Sequence, residues 1–255
     1  MLDRTATGPQ RAANAARTAV VWEALRHLLA DFAAGAEAPL EIVDAGGGTG
    51  GAAVPLAELG HQVTVVDPNP DSLAALERRA AEAGVRVRAL QGETRDLPEL
   101  LPPGEAHLVL MHNVLEHVEE PLGSLVDAAA LLRPSGAISV LAANAVAGAL
   151  HRAFAGHLAD AHRMLADPQG RWGEGDPMPR RFGADQLAAL AREAGFEAVD
   201  IRGVRVFTDL LPGRVLEEGA HSSAELLELE KAASEHPVLS GIATQLHLLA
   251  HRAGE

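Results

Sequence analysis

Apolar runs alternate with amphipathic stretches along the first 143 residues of this chain. Apolar residues at helical spacing predict helices over 10–34, 51–59, 70–84 and 121–132. The short apolar runs predict strands over 40–45, 62–67, 85–90, 106–111 and 137–142, with a turn at 133–136 before the last of them. Because these strands are too apolar to have a wet face, we expect a parallel sheet covered by helices on both sides.

The rest of the chain continues this order after one interruption. Residues 144–182 begin as a weakly amphipathic helical stretch and end in a loop rich in proline and glycine. Beyond them the pattern predicts helices over 184–194 and 223–235 and strands over 197–207 and 242–250. The sequence therefore predicts an α/β fold with a doubly wound, mostly parallel seven-stranded sheet.

We interpret residues 1–255 as a single domain with two additions to this core. The first is an N-terminal cap helix within residues 1–38. The second is residues 144–182, a helical and loop insertion after the fifth strand. Insertions that follow the carboxyl end of a strand often carry substrate-binding elements, so we place this one on the substrate side.

Composition narrows the possible functions. The chain has 21 basic and 35 acidic residues, a formal net charge of −14, which weighs against gripping nucleic acid through its phosphates but leaves room for a local arginine patch. It has no cysteine, which excludes disulfides, thiolate metal sites and cysteine nucleophiles. No apolar run is long enough to span a bilayer and no signal peptide is evident, so we expect a cytoplasmic protein with no membrane partner.

A glycine-rich turn follows the first predicted strand and points to a cofactor. Gly46, Gly48 and Gly51 have the dinucleotide spacing G-x-G-x-x-G. Gly46, Gly48 and Gly50 have the G-x-G-x-G spacing of S-adenosylmethionine (SAM) enzymes. In both classes the glycines let the backbone press against the cofactor. Spacing alone leaves the choice between the two classes open.

Segments outside the glycines favour SAM. Asp44 precedes them and suits the ammonium of a methionine group, whereas Asp67 at the second strand end would bind ribose hydroxyls of either cofactor. The segment HNVLEHVEEP at 112–121 and the segment LRPSGA at 132–137 complete the pattern. Together with the glycine turn, residues 40–143 resemble class I SAM-dependent methyltransferases. The resemblance implies a Rossmann-like fold, SAM as methyl donor and S-adenosylhomocysteine (SAH) as product.

His112, Glu116 and His117 could suggest a metal site, but we predict none. Their spacing is not that of a zinc-protease helix, and a strand-to-loop position gives the wrong geometry. We interpret Glu116 and His117 as residues of helix entry and packing. His112, at the end of a strand, is better placed to face the cofactor or the substrate.

The segments that follow residue 143 bear on the methyl acceptor. No [DN]-P-P-[FY] loop of the amino-methylating enzymes is present, which disfavours nitrogen of adenine or glutamine. Instead, the chain resembles the bacterial tRNA 5-carboxymethoxyuridine methyltransferases nearly end to end. That family esterifies a carboxylate on a modified wobble uridine. The matching features are Arg17 before Trp22, Asp44 to Gly48, Asn144-Ala145, Leu150-His151, Gly203 to Leu210, Leu226 to Glu230, Pro237 and His247.

This resemblance implies a set of cofactor contacts. Arg17 would reach the SAM carboxylate, Thr94 and Arg95 would lie by the adenine, and Asp96 could accept a hydrogen bond from the adenine amino group. With the acid and the glycines of the turn, the predicted cofactor-binding residues are Arg17, Asp44, Gly46, Gly47, Gly48, Asp67, Thr94, Arg95 and His112.

Carboxyl methylation fits the absence of an evident catalytic base. A carboxylate with a pKa of about 4 is already ionised at neutral pH, so no proton has to be removed. We therefore predict no catalytic residue, because alignment of acceptor oxygen and methyl carbon can supply several kcal/mol. Arg205 is the predicted ligand of the acceptor carboxylate, assisted by Asn144 and His151.

Two departures from the family weigh against tRNA. The family has a lysine-rich run in the insertion, whereas residues 171–181 here mix arginines with Glu174 and Asp176. A basic residue expected before the last strand is absent, with Thr244 near that place. The alternatives are O-methylation of a small carboxylic or phenolic metabolite, and SAM binding without catalysis. A tRNA substrate would require one positive surface made by Arg152, Arg163, Arg171, Arg180 and Arg181.

Overall fold

A computed structural model describes the backbone of residues 8–35, 39–211 and 220–254, and the side chains of residues 18–34, 39–211 and 224–254. The strands are β1 Glu41–Ala45, β2 Gln62–Asp67, β3 Arg88–Gln91, β4 Ala106–His112, β5 Leu132–Ala143, β6 Phe196–Val204 and β7 Gln245–Arg252. The α-helices are α1 Gly8–Gly35, α2 Ala53–Glu58, α3 Pro70–Ala83, α4 Leu97–Leu100, α5 Pro121–Leu131, α6 Ala145–Phe154, α7 Leu158–Ala166, α8 Ala184–Glu193 and α9 Ala220–Ser234. Short 3₁₀ turns lie at Thr94–Asp96 and Ser240–Ile242.

The seven strands form one sheet in the order β3-β2-β1-β4-β5-β7-β6. β1 pairs in parallel with both β2 and β4, and the pairs β2–β3 and β4–β5 are parallel as well. The chain winds outward in one direction from β1 and returns through β4 in the other, so β1 and β4 flank the topological switch point. The predicted doubly wound seven-stranded α/β fold is confirmed.

Local sequence explains why these elements form where they do. Every residue of β4 except its last is buried, which accounts for its continuous apolar run. Asn69 caps α3 by accepting hydrogen bonds from the Asp71 and Ser72 backbone N–H groups, and Pro70 occupies the first turn. Gly84 ends the helix in the left-handed conformation with φ +72°.

The turn predicted at 133–136 is part of β5 instead. Ala106 pairs with Leu132 and Leu108 pairs with Ala137, so β4 advances by two residues while β5 advances by five. The surplus residues bulge out of the ladder, and Ser135 takes the left-handed φ of +62°. The Pro and Gly that signalled a turn therefore mark a bulge within one strand.

Close contacts divide the chain into two compact units. The first consists of Met1–Leu28, Ala142–Ala184 and Ile201–His247. The second consists of Leu29–Leu141, Asp185–Asp200 and Leu248–Glu255. The single domain with a cap at 1–38 and a substrate-side insertion at 144–182 stays a prediction. Within the part of the chain that the structure describes, no helix is both long and apolar enough to cross a membrane.

In the first unit, Glu230 of α9 holds the segment that follows β6. Its carboxylate accepts hydrogen bonds from the backbone N–H groups of Val206, Phe207 and Thr208 at 2.8, 2.9 and 2.6 Å, and from the Thr208 hydroxyl at 2.6 Å. Glu230 is 1% exposed, so these bonds replace its lost hydration. The carboxylate thus ties α9 to the end of β6.

We expect Glu230→Gln to lower the free energy of unfolding by about 3 kcal/mol, because an amide in place of the carboxylate points a donor at backbone donors. The matched control Glu228→Gln lies on the same helix with its side chain 74% exposed. It should change stability by less than about 0.5 kcal/mol. Urea denaturation of both variants provides the measurement. Equal stability of the two variants would contradict the structural role given to Glu230.

Candidate active site

The glycine turn after β1 has a backbone that distinguishes its glycines. Gly46, Gly48 and Gly50 have φ of +74°, +54° and +77°, the left-handed region that favours glycine. Gly51 is not among the residues with positive φ, and a Cβ added to it would meet no atom within 4 Å. The structure therefore needs glycine at the three positions of the G-x-G-x-G spacing and not at the third position of the dinucleotide spacing.

Space around the turn is as restrictive as its torsion angles. A Cβ on Gly46 would overlap Val114, which follows β4, and a Cβ on Gly50 would overlap Leu76 of α3. A Cβ on Gly47 would lie 2.6 Å from the carboxylate of Asp44. The backbone of the turn is thus packed against three neighbours at once, and this leaves a smooth cradle of main-chain atoms.

Asp44 lies beneath this cradle and is 3% exposed. Burial, together with the nearby charge of Asp67, raises the pKa of Asp44 to about 7. An uncompensated carboxylate at this position is costly, and a cation bound beside it would lower the cost. The ammonium of a methionine group is such a cation, so Asp44 suits the cofactor role predicted for it.

Asp67 at the end of β2 fixes the turn. One of its carboxylate oxygens accepts a hydrogen bond from the Gly48 backbone N–H at 2.9 Å, and the other accepts from the Asn69 N–H at 2.9 Å. The Gly46 N–H donates to the Val66 carbonyl at 2.7 Å. Each carboxylate oxygen has further lone pairs, so Asp67 can accept from ribose hydroxyls while it holds the backbone.

A cavity of about 630 Å³ opens beside this turn in the second unit. Of the predicted cofactor residues, Gly46, Asp67, Thr94 and Arg95 line it. Its lining is acidic, with five carboxylates against one arginine and one histidine; the acids are Asp67, Glu93, Glu119, Glu120 and Asp127. An acidic cavity suits a ligand with positive charge. The sequence analysis missed the acids beyond Asp67, although two of them, Glu119 and Glu120, lie within the segment 112–121.

The residues predicted to lie by the adenine differ in how they are held. The Thr94 hydroxyl lies 3.0 Å from the Ser124 hydroxyl, whereas exposed Arg95 pairs with Glu93 at 3.1 Å. Asp96 accepts a hydrogen bond from the Glu93 backbone N–H at 2.8 Å as part of a capping box. It does not line the cavity, so its predicted bond to the adenine amino group would require that cap to open.

His112 ends β4 but does not line the cavity. Its Nε2 lies 2.9 Å from the Ser139 hydroxyl of β5. Burial lowers the pKa of His112 to about 4, so the ring is neutral at physiological pH. Arg17 lies on α1, and its side chain is outside the described residues.

The residues predicted on the acceptor side lie in the first unit. Asn144 caps α6 by accepting from the Val146 N–H at 3.0 Å, and its amide donates to the Gly241 and Ala243 carbonyls at 2.9 and 2.8 Å. These bonds use both ends of the buried amide. The amide of Asn144 therefore joins the start of α6 to residues 241 and 243 instead of offering an open side chain.

Arg205 follows β6 with a left-handed φ of +64°. Its guanidinium forms an ion pair with Asp209 and donates to the Gln245 side chain at 3.4 Å. Arg205 does not line either of the two cavities described in this section. The opposite charges of Arg205 and Asp209, four residues apart, are a sequence signal for this pair that we overlooked.

A second cavity of about 410 Å³ lies within the first unit. Asn144 and His151, both predicted on the acceptor side, line it together with Arg152, His157 and Arg181. Its remaining lining residues are small or apolar, apart from Thr244. A Cβ on Gly148 would lie 2.6 Å from Met164 and 2.9 Å from Arg181, so glycine keeps this wall thin.

Three of the five arginines expected to face tRNA phosphates form ion pairs within the protein. Arg181 binds both carboxylate oxygens of buried Asp176, at 2.7 and 3.1 Å. Burial alone would raise the pKa of Asp176, but hydrogen bonds from Arg181 and from two backbone N–H groups hold it below its usual value. Asp160 pairs with Arg163 at 2.5 Å and with Arg152 at 3.7 Å. Aspartates thus neutralise part of the expected surface.

Among the described residues, no group of three or more His, Asp or Glu side chains is arranged to hold a metal ion. His117 is exposed and lines the acidic cavity, whereas Glu116 is buried. The two side chains therefore lie in different surroundings despite their adjacency in sequence.

We expect Gly50→Ala to weaken SAM binding by at least about tenfold and to lower stability by about 2 kcal/mol. The left-handed φ and the overlap with Leu76 both act against a side chain there. The control Gly51→Ala makes the same chemical change one residue later, in open space. It should leave the affinity for SAM within about twofold, and the stability within about 0.5 kcal/mol, of the wild-type values. Calorimetric titration with SAM and thermal unfolding test this pair of variants. A larger loss in Gly51→Ala than in Gly50→Ala would favour the dinucleotide spacing G-x-G-x-x-G instead.

We expect the affinity for SAM to rise about tenfold from pH 6 to pH 8, since the cation requires Asp44 ionised and its pKa is about 7. Asp44→Asn should bind SAM weakly, with the pH dependence lost. Titration calorimetry across this range gives the measurement, with Asp31→Asn, at an exposed position of α1, as the control.

Stability of the cofactor-free protein should move in the opposite direction. Because the folded-state pKa of Asp44 is raised, the group binds its proton more tightly when folded, and ionisation destabilises the fold as pH rises from about 4 to about 7. Asp44→Asn should therefore gain stability relative to the wild type over this window. If the stability of Asp44→Asn fell relative to that of the wild type as pH rose, the raised pKa assigned to Asp44 would be contradicted.

Comparison with known proteins agrees with the geometry. Residues 42–136 match the family described as a methyltransferase domain. The chain is 30% identical over 216 residues to the tRNA 5-carboxymethoxyuridine methyltransferases of Escherichia coli O157:H7 and Escherichia coli K12, covering 84% of this chain and 79% of each relative. It is 33% identical over 185 residues to a ubiquinone biosynthesis O-methyltransferase of Methylocella silvestris, covering 68% of this chain and 64% of that one.

Solved structures share the fold at lower identity. The magnesium protoporphyrin IX methyltransferase of Synechocystis PCC 6803, with bound SAH, matches with a TM-score of 0.61 at 16% identity, over 98% of this chain and 90% of that one. A SAM-dependent methyltransferase of Thermotoga maritima matches with a TM-score of 0.54 at 18% identity, over 93% and 90%. The glycine cradle, Asp44 and Asp67 fit the cofactor of these enzymes. The chain therefore belongs to the class I SAM-dependent methyltransferases.

Proposed function

We propose that this methyltransferase transfers the methyl group of SAM to a carboxylate oxygen, and that the acceptor is a carboxymethoxy-modified wobble uridine of tRNA. The observation that carries the proposal is the 30% identity to tRNA 5-carboxymethoxyuridine methyltransferases over 216 residues. That similarity extends well beyond residues 42–136, the part that matches a general methyltransferase domain. Similarity outside the cofactor-binding core bears on the acceptor, because the core is shared by enzymes with different acceptors.

The chain's own residues account for cofactor binding in this proposal. Asp44 would pair with the ammonium, Asp67 would accept from the ribose, and Thr94 and Arg95 would border the adenine. SAM supplies an electrophilic methyl group when bound. The acidic lining of the 630 Å³ cavity favours the positively charged cofactor over its neutral product, which assists exchange after each turnover.

Methylation of a carboxylate requires few further groups from the protein. It is ionised at neutral pH and needs no general base. His112, neutral and 2.9 Å from the Ser139 hydroxyl, is suited to a structural hydrogen bond rather than to carrying charge. Positioning of the acceptor and exclusion of water then dominate the rate.

O-methylation of a small carboxylic or phenolic metabolite is the second candidate. The net charge of −14 and the pairing of Arg152, Arg163 and Arg181 with aspartates favour it over a polyanionic partner. The ubiquinone biosynthesis O-methyltransferase at 33% identity shows that similarity also reaches an enzyme of another acceptor class. A phenol has a pKa of about 10, so its methylation without a base would accelerate as pH rises above neutrality.

Incubation with methyl-labelled SAM and bulk bacterial tRNA tests the proposal. We expect label on tRNA that mild alkali releases as methanol, because an ester is hydrolysed where an ether or a methylated base is not. tRNA from cells that lack the carboxymethoxy modification should accept no label. Asp44→Asn is the control for contaminating activity and should lower transfer by at least about tenfold.

Three outcomes separate the candidates. Alkali-labile label on tRNA supports the proposal, and alkali-stable label on tRNA contradicts the carboxylate acceptor. No label on any tRNA, with transfer to a small carboxylic acid or phenol, favours the second candidate. In that case the methylation rate as a function of pH distinguishes a carboxylic acid from a phenol, since only the phenol should be methylated faster above about pH 8.

A further inference from the structure

The second cavity, of about 410 Å³, is lined by basic residues and by no acidic one. Four basic side chains line it, namely His151, Arg152, His157 and Arg181, and none of its lining residues is acidic. Ligand sites are commonly apolar clefts of this size with a few convergent polar groups. The walls between the basic residues are formed by small or apolar groups such as Ala155, Met164 and Met178.

The ion pairs of the nearby arginines leave one positive charge without a close partner. Arg181 is matched by Asp176 in a two-point contact at 2.7 and 3.1 Å. Asp160 is shared, at 2.5 Å with Arg163 and at only 3.7 Å with Arg152. Three arginines thus share two aspartates. The loosely paired member is Arg152, which is the one of the two Asp160 partners that lines the cavity.

Arg152 is also held in place by an aromatic ring. Its guanidinium lies 4.4 Å from the centre of the Trp172 ring, within the range of a cation–π contact. The backbone of Trp172 in turn is fixed by Arg163, which donates to its carbonyl at 2.9 Å, and by Asp176, which accepts from its backbone N–H at 3.2 Å. An arginine positioned in this way loses little freedom when it binds an anion.

We propose that this cavity binds the carboxylate-bearing group of the methyl acceptor, with Arg152 as the cation that holds the carboxylate and the methionine and alanine walls against the planar ring. The inference rests on the proposed carboxylate acceptor and names the residues that recognise it. Planar guanidinium suits a carboxylate through two parallel hydrogen bonds. The shared chemistry is a carboxylate on a ring, carried by tRNA or by a small molecule.

Binding is measured without turnover, through the fluorescence of Trp172 in a Trp22→Phe background, where Trp172 is the remaining tryptophan. The probe is the nucleoside 5-carboxymethoxyuridine, with uridine as the neutral comparison. We expect the acid to bind at least about tenfold more tightly than uridine, since the carboxylate contact supplies the difference.

Two variants should move this affinity in opposite directions. Arg152→Gln should abolish the preference for the acid, whereas Asp160→Asn should strengthen it, because the weak internal partner of Arg152 is removed. Arg192→Gln, exposed on α8, makes the same change in net charge away from the cavity and should have no effect. Thermal unfolding of each variant verifies its fold, and Asp160→Asn tests the proposal if Arg152→Gln fails to fold.

Kinetic measurements with tRNA as the substrate identify the source of the carboxylate. With tRNA that carries the carboxymethoxy group, Arg152→Gln should raise the acceptor KM by at least about tenfold, with kcat and the affinity for SAM nearly unchanged. If the protein prefers 5-carboxymethoxyuridine to uridine but transfers no methyl group to tRNA, the cavity assignment is supported. In that case the acceptor is a small molecule and the proposed tRNA function is wrong. Ester formation on tRNA with equal KM for Arg152→Gln and Arg192→Gln overturns the cavity assignment alone. No preference of the wild type for the acid over uridine overturns it as well.

Discussion

The cofactor cavity depends on how closely one stretch of backbone approaches its neighbours. The turn at Gly46–Gly50 lies against Val114 after β4, Leu76 of α3 and the buried carboxylate of Asp44, with no room for a side chain at the contacts. Asp67 then fixes the turn through the Gly48 N–H. Because β1 and β4 flank the point where the strand order reverses, this turn lies at the site where doubly wound sheets bind ligands.

That close approach has an electrostatic cost which the ligand can offset. Asp44 is buried near a second carboxylate, so its charge is disfavoured in the cofactor-free protein. A hydrophobic residue at this position would fit the surrounding core better, yet it would offer nothing to an ammonium group. A position that breaks the rules of core packing is expected where a ligand supplies the missing partner. The geometry therefore explains why an acid precedes the glycines.

The sequence was most informative where the signal is periodic or local. The buried strand β4, the start of α3 at Pro70 and the candidate glycines all follow from spacing and residue type. Spacing carries no torsion angles, so it could not separate Gly50 from Gly51, which differ in φ and in free space. Asn144 illustrates a different limit. Its amide binds the Gly241 and Ala243 carbonyls almost one hundred residues away, and no local pattern reports such a contact.

Net charge and local charge answer different questions in this protein. The net charge of −14 repels a polyanion at long range, and salt screens this repulsion beyond about 10 Å. The net charge therefore affects the rate at which a polyanion approaches. Recognition of a single carboxylate is decided at contact distance, where the second cavity presents four basic side chains and the cofactor cavity presents five acids. The acidic cofactor cavity suits a cationic methyl donor, and the basic second cavity suits the anionic acceptor that we propose. An acidic protein can therefore methylate an acid, provided that the arginines it keeps are placed where the acceptor binds.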